Sequence, residues 1–265
     1  MKRALTLITA LSLLLALLTM GASAEPSATS VQETMSTVYV TIAVKGELVA
    51  TQVPVILEDY DRDGAHTVND ALYGVHEQKY ESGADAGYKY YTSEYGLSMS
   101  KLWGDESGCY GYYLNNASCQ SLADPVKDGD YVTAFVYASA DFVDVYTYFD
   151  IPSVTCEPDG KITLTLMAAG YDENWNPISY PVKGATLTFN GTKIGFVTDA
   201  EGKVTICPEA AGTHIFSAVH DTMTLVPPVC TVTVNKPAGT CKAIAGIGRV
   251  ALLPLAYLCI RKKES

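Results

Sequence analysis

No two of the seven cysteines, Cys109, Cys119, Cys156, Cys207, Cys230, Cys241 and Cys259, stand in a Cys-x-x-Cys spacing, which excludes the usual zinc site. The chain also lacks a Gly-x-Ser-x-Gly elbow, a His-Glu-x-x-His helix and a phosphate-binding glycine loop. Its four histidines, His66, His76, His214 and His220, fall in unrelated contexts, and adjacent acids such as Asp105-Glu106 read as solvated. The expectation is a protein that is not an enzyme. Basic residues are scarce as well. Between Glu25 and Cys241 lie 28 of the 29 acidic residues but only 11 of the 18 basic ones, a net charge of −17. That balance excludes nucleic acid and anionic membranes as partners. It suits divalent cations.

Long apolar runs occur only at the two ends. Residues 1–24 place Lys2 and Arg3 before an apolar run and close on Ala22-Ser23-Ala24, the layout of a cleaved signal peptide. At the other end, residues 243–260 are mostly apolar and are followed by a basic tail at 261–265, the layout of a transmembrane anchor with a cytoplasmic end. A docked amphipathic tail is the alternative. Residues 25–36 and 235–242 read as linkers. The body is therefore expected outside the cell, where cysteines pair by default. Cys109 and Cys119 flank a predicted hairpin and are expected to be linked to each other. Cys259, inside the anchor, is expected to be free.

Two segments fill the space between the linkers. In residues 37–150, alternating β-branched and polar residues on both sides of Lys45-Gly46 predict a pair of strands. The spacing Val68, Leu72, Val75, His76 and Tyr80 then predicts one helix with a single apolar face. Tyrosine-rich strands follow, with Asn115-Asn116 as a turn that tolerates positive φ and Asp128-Gly129 as another. This is an α+β pattern. In residues 153–234 no helical period remains, and short strands separated by turn signals predict an all-β sandwich.

The stretch DYDRDGAHTVND, Asp59 to Asp70, carries the clearest chemistry. A twelve-residue calcium loop takes oxygens from its first, third, fifth, seventh, ninth and twelfth places, with glycine at the sixth for the sharp turn. Those places hold Asp59, Asp61, Asp63, Ala65, Thr67 and Asp70, with Gly64 at the sixth. Calcium is the expected metal. The same residues also read as a helix cap, with Thr67 capping and Asp70 reaching back. Capping alone does not call for three carboxylates two residues apart, which repel unless a cation lies between them.

The chain around YGLSMSKLWG, YGYYLNNAS and DGDYVTAFVY resembles the C-terminal β-domain of transcobalamin and intrinsic factor, and a family of bacterial surface proteins built on that domain. The residues that carry the likeness are Tyr95-Gly96-Leu97, the aromatic strand Tyr110 to Tyr113, Asn115-Asn116, Leu122 and Asp128-Gly129-Asp130. Gly111 departs from the pattern, since intrinsic factor has a tryptophan there. The loop at Asp59 resembles that of dockerins, which also end on Asp. Residues 153–234 are similar to immunoglobulin-like or carboxypeptidase-regulatory-like modules through Thr198-Asp199-Ala200-Glu201-Gly202-Lys203 and Ala211-Gly212-Thr213.

These likenesses imply a β-grasp-like domain on a β-sandwich stalk, anchored to the envelope of a Gram-positive bacterium. The implied role is binding or adhesion to protein or carbohydrate at the cell surface. The alternative is capture of a small molecule such as a corrinoid, with a helical partner on another chain. In both readings the ligand face is expected at Tyr95, Trp103, Tyr110, Tyr112, Tyr113, Asn115 and Asn116, because so dense an aromatic set exceeds what one face of a small sheet can bury.

Overall fold

The computed structural model describes residues 36–236, and the expected signal peptide, anchor and most of both linkers lie outside them. Among the described residues no helix is long and apolar enough to cross a membrane. The described residues are mainly β, arranged in several sheets, and among them one helix runs for more than a single turn.

Strands β1 (Thr37–Val44) and β2 (Glu47–Ile56) pair antiparallel through the turn Lys45-Gly46. Both turn residues have positive φ, 52° and 85°, as a two-residue hairpin turn with the right twist demands. Helix α1 (Val68–Lys79) follows the acidic loop, then a single turn α2 (Ala84–Gly87) and a separate hairpin of β3 (Lys89–Ser93) and β4 (Gly96–Lys101). Strands β5 (Tyr110–Leu114), β6 (Ala117–Ser118) and β7 (Tyr131–Val136) complete a five-stranded sheet in the order β2-β1-β7-β5-β6, with β1 and β7 parallel at its centre.

Helix α1 buries Val68, Ala71, Leu72 and Val75 against one face of that sheet, onto Val38, Val40, Ile42 and Val55. Each fully buried aliphatic side chain contributes ~1.5–3 kcal/mol, which holds a helix too short to persist alone. The approach is close at Gly74, where a Cβ would stand 2.6 Å from the Val55 Cγ1.

The second half holds β8 (Val145–Phe149), β9 (Ser153–Cys156), β10 (Ile162–Tyr171), β11 (Pro177–Pro181), β12 (Thr186–Phe189), β13 (Thr192–Val197), β14 (Lys203–Ile206), β15 (Gly212–Val219), β16 (Leu225–Val226) and β17 (Cys230–Val234). One sheet runs β11-β10-β8-β16 with β14 also on β10, and the other runs β13-β12-β15-β17-β9. Leu164, Leu166, Leu187, Phe216 and Val232 fill the space between them. Strand β8 pairs with β10 and β16, so the first half ends before Val145 rather than at residue 150.

The two halves meet on the first sheet's other face. There Ala43 and Phe135 bury with Tyr146 and Val226, and the rings of Tyr113 and Tyr146 stack 3.6 Å apart and 3° from parallel. Gln52, at a bulge with φ 42°, donates from Nε2 to the Pro152 carbonyl at 2.9 Å and accepts from the Thr231 hydroxyl. The halves are joined by a packed seam.

The expected Cys109–Cys119 link is not formed. Both thiols are free, and so are those of Cys156, Cys207 and Cys230. The hairpin's register explains it, because the Cys119 N–H donates to the Tyr112 carbonyl, which puts Cys119 opposite Tyr112. Cys109 lies three residues further along, about 10 Å at ~3.3 Å per residue. A disulfide spans Cα atoms less than about 7 Å apart.

Candidate metal and ligand sites

The loop before α1 brings three of the six expected metal residues together. Carboxylate oxygens of Asp59, Asp61 and Asp63 lie within 4.8 Å of one another. The backbone wraps around them. Asp59 accepts from the N–H of Asp63 at 3.1 Å and of Gly64 at 3.0 Å, and Asp63 accepts from the N–H of Ala65 at 2.8 Å. Gly64, at φ 89°, makes the turn that aims these donors.

Asp61 stands deepest. Its Oδ2 accepts from the Asn69 Nδ2 at 2.9 Å, while its Oδ1 is closed off from solvent with no hydrogen-bond partner. Burial, and then the charge of Asp70, hold the Asp61 carboxyl above the usual carboxylate range. Among the described residues no Lys or Arg forms a salt bridge with any of the three acids. A buried anionic oxygen without a donor costs stability, and a bound cation removes that cost.

The other expected ligands serve the helix. Asp70 is fully buried, and its Oδ1 accepts from the Tyr60 N–H at 2.9 Å while its Oδ2 accepts from the Thr67 N–H and hydroxyl at 2.9 and 2.8 Å. With both oxygens so engaged, the twelfth-place role falls away. Thr67 is the N-cap and completes the capping box with Asp70. Ala65 lines the loop through the N–H given to Asp63. The residues therefore suit an oxygen-ligand cation held by three carboxylates, with the remaining positions left to water or backbone oxygens.

Asn69 escaped the sequence reading. It is buried at the start of α1, donates to Asp61, and accepts from the buried Tyr88 hydroxyl at 2.9 Å. Its place between a capping threonine and the first apolar turn was the available signal. His76 was seen only as part of an apolar face. Its Nδ1 lies 2.6 Å from the Leu72 carbonyl and its Nε2 accepts the Trp103 N–H at 3.1 Å, so the ring is neutral. Burial lowers its pKa to about 4.

The expected aromatic ligand face is divided. Period two along β5 sends Tyr110 and Tyr112 to the helix side and Tyr113 to the seam. Tyr110 donates to the carbonyls of Ser100 and Asp105 at 3.1 and 2.8 Å, and Trp103 packs on His76 and Tyr80 at 5.0 and 5.2 Å. Asn115 braces the turn, donating to Asp130 at 2.9 Å and accepting the Tyr131 N–H at 3.0 Å. Asn116 accepts from the Tyr146 hydroxyl at 3.1 Å. Tyr95 stands 79% exposed on the β3–β4 hairpin, away from the others. Gly111 has a steric reason, since a Cβ there would meet the Phe135 ring at 2.3 Å.

Compared with known proteins, the chain matches no family model and no curated protein sequence.

Proposed function

We propose that the chain is an extracellular, membrane-tethered binding or adhesion module whose first domain is stabilised by calcium and held outward on a β-sandwich support. The observation that carries the metal reading is the Asp61 Oδ1, buried and without a donor beside two further carboxylates. Strand order β2-β1-β7-β5-β6 with a helix across one face supports a β-grasp-like first domain. Two facing sheets behind it support an immunoglobulin-like second domain. The extracellular placement rests on the leader-like and anchor-like ends of the sequence and on its acidity. The corrinoid alternative draws no support from the tyrosines, which are split between two faces of β5.

Linkage supplies the test, because a ligand that binds only the folded loop raises stability. With a dissociation constant on the order of 10 μM and about 1 mM calcium, the gain is roughly 2.7 kcal/mol. For about 200 residues that is a rise of about 5–10 °C in melting temperature. Melting the full-length chain in calcium and in chelator reads it directly. Equal temperatures in both would leave Asp59 to Asp70 as a capped turn only.

A further inference from the structure

We infer that the groove between β6 and the β10–β11 hairpin is a binding site for a neutral glycan, held by stacking on Tyr171, which lines it, and on Trp175, which stands beyond it at the hairpin tip, and by the hydroxyl and amide groups of the opposite rim. This assignment rests on the reading of the chain as a surface binding module and gives that module a ligand class.

The groove has a volume of about 520 Å³, within the ~300–1,000 Å³ range of ligand sites. Tyr113, Ala169 and Gly170 line it with Tyr171, and Asn116, Ser118, Gln120 and Ser179 supply polar groups. No charged residue lines it, in a chain body of net charge −17. An anionic ligand would find no Lys or Arg there, and a cation would find no carboxylate. A purely apolar ligand would strand the amides and hydroxyls. Strand addition by a peptide is disfavoured on both walls, since β11 begins and ends on proline and β6 is two residues long. What fits is an uncharged ring with apolar faces and hydroxylated edges, which is a pyranose.

The aromatic wall is built to be exposed. Asp172 clamps the hairpin tip, its Oδ1 accepting the N–H of Asn174 and Asn176 at 2.8 Å each and its Oδ2 accepting from the Asn176 side chain at 2.9 Å. The clamp holds Trp175 at φ 63° and 81% exposed, with its ring 6.1 Å from that of Tyr171. A tryptophan fixed in a costly backbone conformation with its indole in water gains nothing for the fold.

The experiment is a calorimetric titration of the full-length chain with neutral hexasaccharides of glucose, mannose and N-acetylglucosamine, in excess calcium and again in chelator. Heparin and a basic peptide serve as charged comparators. The expected result is saturable binding of at least one neutral hexasaccharide with quenching of tryptophan fluorescence. Tyr171→Ala and Trp175→Ala should each weaken it tenfold or more at unchanged melting temperature. No saturable binding by any neutral hexasaccharide, equal binding by both variants, or preference for a charged comparator overturns the assignment. Glycan binding without stabilisation by calcium would uphold the groove and remove the metal reading, and the reverse pattern would remove the groove alone.

Discussion

The side-chain amide of Asn69 joins the acidic loop to the core: its Nδ2 donates to Asp61 and its Oδ1 accepts from Tyr88, each at 2.9 Å. Tyr88 in turn stacks on His76 at 5.0 Å. Replacing Asn69 by Ala leaves the buried Tyr88 hydroxyl without its acceptor, which costs about 1–3 kcal/mol. It also frees Asp61 to swing. Urea unfolding should show that loss in chelator, and a larger one in calcium.

Thr67→Ala separates the helix cap from the metal site. The capping box belongs to α1 whether or not an ion is bound, so the substitution should cost about 1 kcal/mol in calcium and in chelator alike. The difference between the two melting temperatures should stay as in the parent chain. A loss confined to calcium would make Thr67 a ligand.

His76 sets a pH dependence. Its pKa is about 4 in the fold, against 6.5 when exposed, so between those values the unfolded chain binds more protons. Its contribution is fully present above pH 6.5 and falls as pH drops, by about 1.4 kcal/mol at pH 5.5 and about 3 kcal/mol at pH 4. Urea midpoints across that window should follow this slope. His76→Gln, which keeps a neutral polar group near Leu72 and Trp103, should flatten it.

The thiols should differ in reactivity. Burial, and then the Asp124 charge, push Cys119 up to about 12, and burial with Asp150 does the same for Cys230. Both should resist alkylation at pH 8 in the folded chain and react after unfolding. Peptide mapping without reduction should find no Cys109–Cys119 link, because the hairpin register keeps the two apart.

The sequence made the local elements plain. Lys45-Gly46 and Asn115-Asn116 could only turn a hairpin, and the spacing from Val68 to His76 could only be a helix face. Tyr80, expected to close that face, is the C-cap instead. The sorting of Tyr110, Tyr112 and Tyr113 was present in their alternation, but which side of β5 meets the helix depends on partners far along the chain. The same holds for β8, whose neighbours β10 and β16 lie 17 and 80 residues beyond its start. The triad Asp59, Asp61 and Asp63 was legible because a tight loop is set by near neighbours. The capping contact between Asp70 and Thr67 was legible too, but the Tyr60 N–H that occupies the other Asp70 oxygen was not, since cap and ligand demand the same residue type at the same place.

The most direct test of the metal reading is calcium titration followed by calorimetry on the parent chain and on Asp61→Asn, which keeps the side chain's shape and removes its charge. The metal reading predicts one saturable site in the parent, with a dissociation constant on the order of 10 μM, and at least a hundredfold weaker binding in the variant. Binding of equal strength in both, or no binding by the parent, would contradict it.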